Sequence, residues 1–405
     1  MMHVNLRRWI AVLFVIALVA GGVGTPWNTA AEAGGSWSAW LYSPTAAKLV
    51  HVVPNGPTEE MALPVPAEAF SPPHTVAISP DGSLLAFCVT DANANATVYT
   101  YQLPDMTQLF TYQESNVSYC DVSRNAFIDD SSAFAVSFLY NPMANGKAYP
   151  EWQIAVIETA HGDVLTGLYQ EMDAVSAAGA NIEGQYPRVV AFQKAGVPFV
   201  IFRLVPWAFE GGCDMPGFAW NLANNDVTPY EPAGHFAVDY LPTAGEAIWV
   251  VSNPSLPQAQ FVEGPACVGN VVMYGSKATY PYPVYVDTEN PIMAVAFINN
   301  GQLLAVGRYV DGMMQWEALD RNGFTNPLPP NMDARQLYGT MDGYIFLRND
   351  MDNWQLIYHR IGARPVPEES VQWQGNDGAL WSVVWVTPMQ PTESLPSFSE
   401  IPLGY

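Results

Sequence analysis

Basic residues are scarce in this chain, 15 Lys plus Arg against 38 Asp plus Glu, so places where they recur in step stand out. Hairpin-like stretches carry a turn glycine at Gly82, Gly196, Gly301 and Gly343. The residue eight places before each is His74, Arg188, Met293 and Arg335. His235 holds a looser equivalent place in another stretch. Cationic side chains repeated at the entrance of successive hairpins would form a rim for a carboxylate or phosphate group, with Arg offering paired hydrogen bonds. The competing chemistry is internal: the same side chains would pair with acidic neighbours or cap adjacent loops.

A second candidate is aromatic. Pro206 to Trp220, PWAFEGGCDMPGFAW, reads as a long insertion where a short hairpin loop is expected. Long loops on a rigid scaffold often hold binding sites. Trp207, Phe209, Phe218 and Trp220 would offer flat apolar faces to sugars or apolar peptide side chains. The alternative is that they pack locally over the sheet. A third set is oxygen-bearing: Asp91 to Asn95 and Asn349 to Asn353 alternate Asn and Asp, ligands that suit calcium. Neither completes a calcium-loop signature, and both residue types serve turns for conformational reasons. No cofactor is expected, with calcium the one ion these turns suggest. G-x-S-x-G, H-E-x-x-H and phosphate-loop motifs are absent, so the sequence displays no catalytic constellation.

Four cysteines, Cys88, Cys120, Cys213 and Cys267, allow three pairings. Adjacent repeat units would place Cys88 beside Cys120 and Cys213 beside Cys267; free buried thiols are the alternative for Cys88 and Cys120. No C-x-x-C pair suggests zinc.

The elements that must carry these groups are short strands. In His74 to Val89, HTVAISPDGSLLAFCV, alternating residues around Val76 and Ile78 lead into Pro80-Asp81-Gly82, and Leu84 begins a second strand. Pro presets φ, Asp bonds to the local backbone and Gly accepts φ > 0. Two more strands, Thr97 to Leu103 and Gln108 to Gln113, complete a four-stranded unit. Further units begin near Tyr119, Arg188, Ala237, Ile292 and Arg335. Their spacing of roughly 45 to 70 residues includes values that suit a four-stranded blade with its loops. Ala379 to Val386 is one strong strand without a following partner, and Ser36 to Tyr42 and Lys48 to Val53 lack a preceding one. Pairing the two ends yields a seventh, composite blade and removes two open edges. The expected fold is all-β: a seven-bladed β-propeller over residues 34–386.

ISPDGSLLAF at Ile78 to Phe87 resembles the repeat of TolB-like and WD40-like propellers, and Ala296 to Val306 echoes it. The Gly-His and Trp-Asp dipeptides of WD40 blades are not evident. Such families share a fold but differ in role, so the resemblance implies architecture alone.

Residues 1–33 read as a secretory signal peptide or N-terminal anchor: Arg7 and Arg8 precede the apolar run Trp9 to Ala20, and small residues follow. Cleavage near Gly24, cleavage near Ala33 and retention as an anchor all stay open. Residues 387–405, rich in Pro and Ser, read as an irregular tail. A formal net charge of −23 argues against nucleic acid as a partner, and against a membrane except through the N-terminal segment. The expectation is a secreted, periplasmic or surface-held monomer that binds a protein, small molecule or glycan at the channel mouth. The alternatives are a carbohydrate- or lactone-acting hydrolase or lyase on the same scaffold, and a structural module of a cell-envelope assembly. Asn95-Ala96-Thr97 and Asn116-Val117-Ser118 fit the N-glycosylation acceptor pattern.

Overall fold

The computed structural model describes residues 37–386, apart from 55, 143–149, 171–184, 194–196, 207–214, 236, 242–244, 253–268, 277–278, 321–324, 329–336, 351–352, 362–367 and 376–377. Among the described residues, twenty-eight strands form seven four-stranded antiparallel sheets. Blade 1 holds β4 (Ala77–Ile78), β5 (Leu84–Thr90), β6 (Asn95–Gln102) and β7 (Thr107–Ser115). Blade 2 holds β8 (Val117–Asp121), β9 (Ala133–Tyr140), β10 (Trp152–Glu158) and β11 (Val164–Tyr169). Blade 3 holds β12 (Gln185–Gln193), β13 (Phe199–Pro206), β14 (Gly217–Asn221) and β15 (Val227–Pro229). Blade 4 holds β16 (Val238–Leu241), β17 (Glu246–Val251), β18 (Val271–Ser276) and β19 (Thr279–Val286). Blade 5 holds β20 (Ile292–Ile298), β21 (Leu303–Val310), β22 (Met313–Leu319) and β23 (Thr325–Pro327). Blade 6 holds β24 (Leu337–Thr340), β25 (Gly343–Asp350), β26 (Asn353–Arg360) and β27 (Glu368–Gly375). Blade 7 is composite: β28 (Ser382–Val386) pairs antiparallel with β1 (Ala39–Ser43), followed outward by β2 (Lys48–Val52) and β3 (Glu59–Ala62). The ring is therefore closed by its two chain ends, as expected. β3 was not expected, and its exposed Glu-Glu-Met-Ala has no apolar face to announce a strand. Among the described residues, no helix is long and apolar enough to cross a membrane.

Turn chemistry sets the register of the first hairpin. Asp81 Oδ1 accepts from the Ser79 hydroxyl (2.5 Å), the Ser83 N–H (3.0 Å) and the Ser83 hydroxyl (2.8 Å), while Ser79 Oγ accepts from the Leu84 N–H (2.8 Å). Gly82 sits at φ 72°, and Gly301 in the echo of this turn has the same φ. Both need the left-handed region that a Cβ disfavours.

The core is divided among the blade seams. Each pair of adjacent blades has its own apolar cluster, seven in all. The seam between blades 2 and 3 is rich in large side chains, with Trp152, Phe202, Phe218 and Trp220 buried together. The seam between blades 3 and 4 is thin: its buried members among the described residues are Ala191, Ile201, Ala233, Tyr240, Ala247 and Trp249. Apolar burial contributes about 25 cal/mol per Å², so a seam built on three alanines gains least from it.

Candidate functional site at the channel mouth

The innermost strand of each blade runs in the same sense along the channel, so residues that lead into these strands gather at one end. His74, exposed, lies just ahead of β4; Asp121, buried, ends β8; Arg188, exposed, lies within β12. The chain after β8 is stitched to β12. The Ser123 hydroxyl donates to the Val189 carbonyl (2.6 Å), and Asn125 Nδ2 donates to that of Val190 (3.1 Å). This tie brings Asp121 level with Arg188. Burial pushes the Asp121 carboxyl above its ordinary range, and the positive charges of Arg188 and His74 pull it back. Tyr119 is also pushed up, by burial first and then by Asp121 and Tyr186, with Arg188 opposing. Three blades thus bring one buried carboxyl and two exposed basic side chains into mutual electrostatic reach.

A second polar group lies further along the channel. The Arg124 guanidinium, on the segment between β8 and β9 of blade 2, sits 4.4 Å from the ring centre of Tyr338 in blade 6. Asp239 of blade 4 accepts from the Phe297 N–H of blade 5 (2.8 Å) and from the Tyr240 N–H (3.0 Å). Burial pushes the Asp239 carboxyl up to about 6, against the pull of the Phe297 N–H, Arg124 and the Tyr240 N–H.

The sequence-expected residues separate clearly. His74 and Arg188 both lie within electrostatic reach of Asp121. His235 follows the 3-10 turn Glu231–Gly234; its carbonyl accepts from Arg203 (3.2 Å) and its ring lies 3.8 Å from Glu231 Oε1. Arg335, Trp207, Cys213 and Cys267 lie outside the described residues. Trp220 requires a correction. It is a strand residue of β14, wholly buried, with Nε1 donating to Asn225 Oδ1 (2.7 Å), so it offers no face to a ligand. Phe218 is likewise core, and the insertion is shorter than expected because β13 continues to Pro206 and β14 starts at Gly217. Cys88 and Cys120 are joined by a disulfide that ties β5 of blade 1 to β8 of blade 2, the neighbouring-blade link expected. Asp91 spends its oxygens on its own turn, accepting from the Asn93 and Asn95 N–H groups and from Asn95 Nδ2. On the outer part of blade 2, Glu158, His161 and Asp163 place three oxygen or nitrogen atoms within 4.8 Å of one another, away from the channel.

Asp121, Arg124, Arg203, Asp239 and Tyr338 were missed by sequence reasoning. Alignment on turn glycines could not reach Asp121 or Arg124, since the first hairpin of blade 2 turns through Asp129-Asp130-Ser131-Ser132 without a glycine.

No family model matches the sequence, and no curated protein matches it. Solved structures resemble it at the level of fold. A chain of hydrazine synthase from Kuenenia stuttgartiensis aligns at TM-score 0.48 and 14% identity, covering 79% of this chain and 91% of that one. TolB from Acinetobacter baumannii aligns at 0.40 and 11%, over 72% and 64%. A protein described as a putative 6-phosphogluconolactonase from Bacteroides fragilis aligns at 0.47 and 10%, over 86% and 97%. Likeness this distant carries no argument about role, and the propeller architecture rests on the chain's own seven sheets.

Proposed function

We propose that this propeller is a binding module whose ligand or protein partner docks at the channel mouth around His74, Asp121 and Arg188. The supporting observation is their meeting: two exposed basic side chains flank a buried carboxyl at one end of the ring, in a chain short of basic residues. A rigid ring with convergent polar groups at one end is a common design for a site. The Cys88–Cys120 disulfide fits an oxidising compartment, in keeping with a secreted, periplasmic or surface-held protein. A thermal-shift screen of the full chain against calcium, neutral and acidic sugars, organic anions and short peptides identifies the ligand. Its affinity is expected to fall at least about tenfold in R188Q and D121N, the scale of one charge-assisted contact. Unchanged affinity in both variants would overturn the reading. A flat panel followed by capture of an envelope protein through this same face would make the partner macromolecular.

One observation favours a second, catalytic reading. A carboxyl held towards its protonated form beside a histidine is suited to proton transfer. That reading expects turnover on lactone or glycan panels, abolished in D121N with the fold intact.

A further inference from the structure

The seam between blades 3 and 4 opens onto this same mouth, and its polar groups are not those of a structural ion pair. Arg188 and Arg203 are direct cross-strand partners in β12 and β13. Residues facing each other in this way point to the same side, and like charges so placed repel. Among the described residues neither guanidinium has an acidic side chain in ion-pair contact. Arg203 gives one N–H to the His235 carbonyl, yet its Nε is buried without a partner. Tyr240, across the seam on β16, is 9% exposed and its buried hydroxyl has no partner. Trp249 Nε1, in the same apolar cluster, is a third buried donor left unmet. A buried donor without an acceptor normally costs on the order of 1–3 kcal/mol, so a group that accepted from these donors would be favoured here.

Local sequence fixes this arrangement. The linker Glu231–Gly234 is pressed onto β14, where a Cβ on Gly217 would lie 2.4 Å from the Gly234 nitrogen. The Met215 N–H donates to the Gly234 carbonyl (2.7 Å) and the Tyr230 N–H to that of Gly217 (2.8 Å). That close approach delivers the His235 carbonyl to Arg203 and turns the guanidinium into the seam. Burial, and after it the neighbouring Arg188, weaken the hold of Arg203 on its proton, with Tyr240 and Tyr186 opposing.

We propose that this seam is an oxyanion site, in which Arg188, Arg203 and the Tyr240 hydroxyl together hold a carboxylate or phosphate group. The proposal rests on the reading of the channel mouth as the binding end, and names the chemistry taken there through residues that reading does not use, Arg203 and Tyr240. In a chain of net charge −23 an anion is repelled by the molecule as a whole, so the seam must act through short-range, directed donors.

The test titrates the full chain with inorganic phosphate and, separately, with acetate, at fixed ionic strength made up with chloride. Calorimetry and the thermal midpoint are the readouts. Saturable binding of either anion is expected, weakened tenfold or more in R188Q and R203Q and several-fold in Y240F. Phosphate alone, acetate alone or both would support the site and say which group it prefers. No saturable binding of either, or affinity in R188Q and Y240F equal to that of the parent, would overturn it. Should R203Q fail to fold, R203K keeps the charge but loses the fork, and is expected to bind more weakly. Variants H74Q and D121N separate the two readings. If they abolish binding of the ligand found by screening while the anion response is absent, the seam proposal fails and the mouth stands. If the anion binds and they change nothing, the seam stands alone.

Discussion

At the scale of single residues, two buried titrating groups pull stability in opposite directions over one pH interval. Asp239 holds its proton up to about 6 against an ordinary 3.8, so between these values the folded chain carries a proton that the unfolded chain has released. Stability from this group falls as pH rises through that window. His359, almost wholly buried and stacked on Tyr344 at 4.7 Å, is pushed down to about 4 by burial. Between about 4 and 6.5 the unfolded state is the one that binds the extra proton, and stability falls as pH drops. The two slopes offset each other. D239N should therefore lose stability more steeply than the parent as pH falls from 6.5 to 4, while H359Q should gain over the same fall, each by about 1–2 kcal/mol. Urea midpoints at half-unit pH steps check both; parallel curves for parent and variants would show that neither group is perturbed as described.

At the scale of elements, blade 5 is tied by a cation shared between two carboxylates. Arg308 on β21 donates to Asp287 Oδ2 (2.9 Å) and to Glu317 of β22, and Tyr285 donates to Glu317 as well (3.3 Å). Asp287 in turn accepts from the Glu289 and Asn290 N–H groups, both at 2.8 Å, and so shapes the loop into β20. R308M would leave two largely buried carboxylates facing each other and should lower stability by about 2–3 kcal/mol in urea unfolding, with R308K recovering only part. This network was invisible in the sequence, because the partners are 21 and 9 residues from Arg308 and share no motif. Most strands were legible, for a physical reason: each carries an apolar, β-branched or aromatic run between turn residues, and Leu84–Thr90 and the start at Ile292 fall where patterning puts them. β3 escaped because an outermost strand has one face in water and little to bury. Trp220 was misplaced because a loop aromatic and a core aromatic look alike in sequence; only pairing with Val200 reveals the strand.

At the scale of the whole molecule, closure depends on β28. Val383 and Val386 pack into the seam between blades 6 and 7, Val384 into that between blades 7 and 1, and the strand hydrogen-bonds to β1. A chain ending at residue 378 should lose cooperative thermal unfolding and self-associate, since it opens an inner edge and two seams at once. Calorimetry and size-exclusion chromatography read both effects, and an unaltered transition would mean that the ring holds without its closing strand. Ring closure was readable from unpaired strands at both ends, whereas the mouth chemistry was readable only in part. His74 and Arg188 announce themselves by charge, but Asp121, Arg203 and Tyr240 acquire meaning only when neighbouring blades are brought together. The contact between Arg124 and Tyr338 has a consequence of the same global kind. Blades 2 and 6 stand on opposite sides of a seven-membered ring, so a side chain from one resting on a ring from the other spans the axis. Two blades that share no seam are thereby held to each other directly, so the ring is braced across its middle as well as around its rim.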